Sequence, residues 1–214
     1  MRVLAVDVGG RHVKALVQGE SERRRFKSDP DLTPERMVEG TLELVEGWEF
    51  DHVSIGVPAP VAGGKVARDP VNLGAGWKGF DFEAAFGRPT KVVNDAAMQA
   101  IGSYEGGRML FLGLGTGLGS TMIVDGVLVP MELGHLPFRR ATFEEYVGRA
   151  ARQRLGPKHW RAAVLETIRH LSAALQPDYV VLGGGLADEL EELPAGVRIG
   201  GNELAFVGGF RLWE

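Results

Sequence analysis

Cysteine is absent from the 214 residues, which excludes disulfides, thiol nucleophiles and cysteine-ligated zinc. Long apolar runs are absent too, none approaching the roughly 18 residues of a membrane span, so no membrane partner is expected. Positive charge is not in excess: 24 Lys and Arg against 28 Asp and Glu leave a net charge of −4. A general nucleic-acid binder would carry a basic face, so no nucleic-acid partner is expected. No leader is seen either. The opening MRVLAVDVGG enters an apolar strand pattern without a basic segment, an apolar core and a small-residue cleavage site, which predicts a cytoplasmic protein. What remains, 44% apolar and 24% charged residues, is the balance of a globular chain long enough for one large domain or two small lobes.

Residues 3–8 (VLAVDV) read as a buried strand, Gly9-Gly10 as a tight turn, and residues 12–17 (HVKALV) as a returning strand. Helical spacing covers 33–48 after Thr33-Pro34. Short strands are expected at 52–57, 65–67 and 90–93, with a helix over 96–104. A second set then begins, with strands at 109–114, 120–124 and 127–129 and helices over 142–154 and 160–175. The strand 179–182 runs into Gly183-Gly184-Gly185, and 202–212 looks like a terminal helix. A strand, a glycine turn and a returning strand thus occur near residue 9 and again near residue 115, the mark of an internal repeat. The cluster Arg23, Arg24, Arg25 and Lys27 reads as an exposed strand protected by charge, with a polyanion track as the alternative.

Three glycine clusters and one acidic pair carry the chemistry. In Asp7-Val8-Gly9-Gly10-Arg11-His12-Val13-Lys14 the glycines let backbone N–H groups approach phosphate oxygens, and Asp7 is placed to hold a water of hydrated Mg²⁺. An ordinary hairpin turn is the competing reading. Gly115-Thr116-Gly117-Leu118-Gly119 suits a second phosphate cradle, and Gly183-Gly184-Gly185 follows an apolar strand where bare backbone admits a ring or a phosphate. Asn94-Asp95 closes a strand just before a helix, a position that meets ligands in open α/β sheets and equally suits a helix cap.

Taken in order, these motifs, with Pro58 and Val61, Asn72-Leu73, Glu132-Leu133-Gly134-His135 and the ending 202–209, resemble the ROK family of sugar kinases, and the segment 115–135 is especially similar to its polyphosphate glucokinases. The resemblance implies an α/β fold of two ribonuclease-H-like, actin-like ATPase lobes around a central cleft. Residues 1–95 would form the first lobe, with 203–214 packing back on it, and 96–202 the second. It implies transfer of a phosphoryl group from polyphosphate or ATP to the primary hydroxyl of glucose or a related hexose, in a homodimer. Asp95 would be the general base, and Asn94, Glu132, His135 and Glu144 would bind the sugar, with a one-residue slip open at Glu144-Glu145. Asp7, through water, would serve Mg²⁺. Gly9, Gly10, Arg11, Lys14, Gly115, Thr116, Gly117, Gly183, Gly184 and Gly185 would surround the donor. In many members the histidine at the position of His135 joins three cysteines around zinc, so no zinc is expected here. Two positions depart from the family pattern: Arg11 stands where Ser or Thr is common, and Ala59 where glycine is usual.

Overall fold

A computed structural model describes residues 1–201 and 203–214; Asn202, with which the terminal motif begins, lies outside the described residues. The chain forms two compact units, Met1–Gly102 with Glu203–Glu214, and Ser103–Asn202.

The first unit is built on β1 (Val3–Val8), β2 (His12–Val17), β3 (Arg24–Lys27), β4 (His52–Val57) and β7 (Thr90–Asn94), with a small hairpin of β5 (Val61–Ala62) and β6 (Lys65–Val66). The sheet order is β3-β2-β1-β4-β7. The three strands β1 to β3 form an antiparallel meander, and β4 and β7 run parallel to β1. All six residues of β1 are buried, as a continuous apolar run with both faces covered requires. In β2 burial alternates residue by residue, leaving one face half open.

Helix α1 (Pro34–Leu44) starts at Thr33, whose Oγ1 accepts from Arg36 N at 3.4 Å, with Pro34 in the first turn. It stops four residues short of the span read from spacing. Gly47 takes a positive φ of 85°, and the Arg24 guanidinium donates to the carbonyls of Leu44 and Glu46 at 2.9 and 3.0 Å, holding the open end of the helix. Helix α2 (Phe82–Phe86) and helix α3 (Asp95–Ser103) flank β7 in sequence.

The second unit repeats the plan. Strands β8 (Arg108–Leu114), β9 (Leu118–Val124), β10 (Val127–Met131), β13 (Tyr179–Gly183) and β14 (Val197–Ile199) lie in the order β10-β9-β8-β13-β14, again three antiparallel and two parallel. The repeat seen near residues 9 and 115 is therefore one of whole sheets. A minor hairpin, β11 (Pro137–Phe138) with β12 (Ala141–Thr142), precedes α4 (Phe143–Val147) and α5 (Arg149–Leu175).

The single helical pattern at 142–154 breaks at Gly148. That residue is extended (ψ 173°), and an added Cβ would stand 2.5 Å from Thr116 O. A second break at Gly156 (φ 72°) divides α5 just before Pro157. Helix α6 (Leu204–Arg211) closes the chain and packs on β1 and β4 of the first unit. No described helix is long and apolar enough to cross a membrane.

Candidate functional site

The parallel strands β1, β4 and β7 bring their carboxyl ends to one edge of the first sheet, where open α/β folds place their ligands. Asp7 is level with Gly56 of β4, and Gly56 with Val93 of β7. Asp95 follows two residues later as the first residue of α3. A Cβ on Gly56 would stand 2.6 Å from Met98 Cε and 3.4 Å from the Asp95 Cα. The bare backbone at Gly56 thus lets the first turn of α3 settle on β4 and brings the Asp95 carboxylate into the field of Asp7.

Electrostatics separate these two acids. Asp7 is buried, and its Oδ2 accepts from Lys14 Nζ at 2.8 Å. Asp95 keeps partial exposure, and among the described residues no cation contributes to its titration. Loss of hydration, and then the charge of Asp7, push it from 3.8 up to about 7, against the opposing pull of the Ala96 N–H and the Asn94 side chain. A carboxylate in that range can take up a proton at neutral pH. Asn94 is a working cap: its Oδ1 accepts from Ala96 N at 3.0 Å and Ala97 N at 3.3 Å, and its Nδ2 donates to Ala59 O at 3.3 Å. Ala59, the departure from the family's glycine, is buried and anchors that amide.

The turn between β1 and β2 is fixed from behind. Gly9 N donates to His12 O at 3.0 Å, while Ser28 Oγ donates to Gly9 O at 2.7 Å and Ser28 N to Arg11 O at 3.1 Å. Gly10 and Arg11 are exposed, and a Cβ on Gly10 would meet only Asn72 Cβ, at 3.9 Å. The structure therefore gathers Asp7, Gly9, Gly10, Arg11, Lys14, Asn94 and Asp95 in the first unit, with Asn72 beside them.

In the second unit, the turn between β8 and β9 leans on the start of α5. Arg149 N donates to Gly115 O at 3.0 Å and Thr116 O at 3.3 Å. Gly117 faces the Glu144 carboxylate so closely that any Cβ would collide with Oε2. Capping sets the two neighbouring glutamates apart. Glu145 accepts from Thr142 N at 3.0 Å and Thr142 Oγ1 at 2.8 Å, completing a capping box, which leaves Glu144 with its Oε1 3.6 Å from His135 Nε2.

Glu132 and His135 are both exposed, Glu132 just before a short 3₁₀ turn, Leu133–His135, and His135 at its end. Ser120 ties that turn down, its Oγ donating to Met131 O at 3.0 Å and accepting from Leu133 N at 2.9 Å. Gly184 adopts φ 81°, and a Cβ there would strike the Leu114 carbonyl, so Gly183–Gly185 sits against the end of β8 beside the second glycine turn.

Ser28, Gly56, Ser120 and Gly148 were not singled out by sequence reasoning. Gly56 alone carried a usable signal, since glycine inside an apolar strand marks a close backbone approach. Of the arginines around α4 and α5, Arg139 pairs with Glu166, Arg152 with Glu189, and Arg154 donates to Glu145 O. Among the described residues no group of three or more His, Asp or Glu is gathered to hold a metal. One carboxylate with a free oxygen, as at Asp7, suits a hydrated Mg²⁺ carried mainly by donor phosphates rather than an all-protein cage. A groove of about 690 Å³ in the first unit, lined by Lys65, Phe80, Phe82, Glu83 and Arg88, does not include Asp7 or Asp95.

Comparison with known proteins adds family context. The model of the ROK family matches residues 3–151. The polyphosphate glucokinase of Mycobacterium tuberculosis (strain H37Ra) is 25% identical over 210 residues, covering 87% of this chain and 78% of that protein. The crystal structure of inorganic polyphosphate/ATP-glucomannokinase from Arthrobacter sp. strain KM superposes with a TM-score of 0.83 at 27% identity, over 100% of this chain and 99% of that one. A ROK family glucokinase from Streptomyces griseus, solved with glucose and AMPPNP, shares the fold at a TM-score of 0.80 and 19% identity, over 99% of each chain.

Proposed function

We propose that this chain, which belongs to the ROK family, is a sugar kinase that moves a phosphoryl group from inorganic polyphosphate or ATP to the primary hydroxyl of glucose or a related hexose. The observation that carries the reading is Asp95: a carboxylate with no cation partner among the described residues, raised to about 7 by burial and by Asp7, on the strand edge that also carries the first glycine turn. The names of the Mycobacterium and Arthrobacter relatives support the choice of sugar and of donors.

In the proposed reaction the sugar oxygen attacks the terminal phosphorus and its proton passes to Asp95. The bond from phosphorus to the donor's bridging oxygen breaks, and the shortened donor leaves. The transition state asks mainly for alignment and charge neutralisation. The glycine turns at Gly9-Gly10, Gly115–Gly117 and Gly183–Gly185, with Arg11 and Lys14, would be the donor-side groups. Asp7 would hold Mg²⁺ through water, and that ion, when bound, would neutralise charge on the donor phosphates. Glu132, His135 and Glu144 would hold sugar hydroxyls, while Asn94 would both cap α3 and face the sugar. We further read the enzyme as a homodimer, on family likeness.

Gly117→Ala tests the sugar side. The added methyl meets the far end of a flexible glutamate, so the fold should survive while Glu144 swings away from His135. Losing one charged hydrogen bond to substrate costs about 1.5–3 kcal/mol, so KM for the sugar should rise at least about tenfold, and more than KM for the donor that Gly117 would also face, with little change in melting temperature.

The reading as a whole is tested by a coupled assay of glucose, mannose and N-acetyl amino sugars against ATP and polyphosphate side by side. Phosphorylation of glucose with at least one donor is expected. No turnover of any sugar with either donor would overturn the reading and leave a sugar-binding protein without transfer activity.

A further inference from the structure

The Asp7–Lys14 pair begins a row of charges that crosses the first sheet to its edge. Cross-strand partners share a face, and the registers pair Asp7 with Lys14, Lys14 with Arg25, and His12 with Lys27. Arg25 and Lys27 therefore lie on the face of Asp7 and Lys14. The opposite face carries Val13, Ala15 and Phe26, and there Phe26 packs against Gly40 of α1. Exposure alternates to match: Arg23, Arg25 and Lys27 are exposed, whereas Arg24 and Phe26 are half-buried.

Only Arg24 has a structural use. Its guanidinium lies 4.0 Å from the centre of the Trp48 ring while it holds the end of α1. Among the described residues, no carboxylate lies within ion-pair reach of Arg11, Arg23, Arg25 or Lys27.

Charged side chains on an edge strand guard it against pairing with another chain, and that role is met without a counter-charge. Several like charges on one short strand repel one another and call for a counter-charge. Along a strand, residues two apart are separated by about 6.5–7 Å, and neighbouring strands by about 4.8 Å. Arg23, Arg25 and Lys27 thus make a cationic strip about 13 Å long, which reaches the glycine turn because Lys27 pairs with His12, the residue after Arg11. A nucleotide triphosphate is too short to occupy both the turn and the strip. A single-stranded nucleic acid would use exposed aromatic rings for its bases, and this strip presents none: Phe26 is on the other face and Trp48 lies under Arg24.

We propose that the outer face of β2 and β3 holds the distal part of an inorganic polyphosphate chain whose end phosphate is presented at the Gly9-Gly10 turn. Only the presentation of that end phosphate rests on the kinase reading above; the binding strip stands on charge and register. The test is direct binding of long-chain polyphosphate and of tripolyphosphate, over a salt series, to the full chain and to an Arg25→Ser/Lys27→Ser variant. Both positions are exposed and lie outside the proposed catalytic groups, and melting temperature checks that the variant is folded.

Long chains should bind the wild type in a salt-sensitive way and lose at least fivefold in affinity in the variant, while tripolyphosphate binding changes less than twofold. A wild type that does not bind long chains, a variant that binds them unchanged, or equal losses for both lengths would overturn the proposal. So would a single-stranded oligonucleotide that binds as tightly as polyphosphate and is lost in parallel. A wild type that binds long chains at the strip but phosphorylates no hexose would sink the kinase reading and leave the strip standing.

Discussion

Asp95→Asn is expected to lower hexose phosphorylation by about 10²–10⁴-fold, to leave sugar affinity within about threefold, and to raise thermal stability at pH 8. The first two effects separate the proton acceptor from the binding groups. Asparagine keeps the oxygen that accepts from Ala96 N and leaves the Asn94 cap untouched, so α3 should start in the same place. The third effect follows from the raised pKa. The folded chain binds the Asp95 proton more tightly than the unfolded chain does, so stability falls as pH rises from about 4 to about 7, and above that the buried charge persists as a cost.

The rise from 3.8 to about 7 corresponds to at most about 4 kcal/mol, and partial exposure of Asp95 reduces it to about 2 kcal/mol. The asparagine variant should therefore melt about 5 °C higher than wild type at pH 8, and the gain should vanish near pH 4. Calorimetric titration with glucose and melting curves at the two pH values check all three effects. A variant that turns over at near-normal rate removes Asp95 from the base role, and a variant less stable at pH 8 contradicts the electrostatic account.

Gly208→Ala is expected to cost at least about 3 kcal/mol and to remove most activity in whatever protein still folds. Helices α3 and α6 meet backbone to backbone. A Cβ on Gly208 would collide with the Met98 carbonyl oxygen and stand 2.9 Å from Gly102 N, while a Cβ on Gly102 would collide with Leu204 O and stand 2.8 Å from Gly208 N. Gly209, next in the chain, faces β1 in the same way, 2.6 Å from Ala5 Cβ. Buried Ser54 fastens the end, its Oγ donating to Gly209 O at 2.6 Å and accepting from Trp213 Nε1 at 2.9 Å.

Because α3 carries Asp95 at its first residue, pushing the two helices apart moves the carboxylate as well as loosening the unit. Urea unfolding and specific activity of the soluble fraction measure the two consequences. A variant with wild-type stability would show that the helices do not cross this closely.

The repeated sheet was legible because β1 and β8 are mostly apolar strands, each followed by a glycine turn and a returning strand. The start of α3 was legible because Asn and Asp cap helices, and Asn94 does so here. Other features left weaker traces. Gly148 ends α4 through its ψ and the tight contact with Thr116, neither of which spacing encodes, so 142–154 looks like one helix. Strand β14 has only three residues and no alternation to read. Glu144 and Glu145 are chemically identical in the sequence; they part only because Thr142 closes a capping box on the second. The role of Gly56 depends on a helix about 40 residues further on lying against it, and that of Gly208 on a helix about 100 residues before it. Both are facts of tertiary packing.

The pH dependence of kcat/KM for hexose phosphorylation between pH 5 and 9 tests the central assignment most directly, since it reports the ionisation of the free enzyme's essential base. An acidic limb falling tenfold per pH unit below a midpoint near 7 is predicted. A rate constant flat down to pH 5, or a limb with its midpoint near the ordinary carboxylate value of about 4, would contradict it.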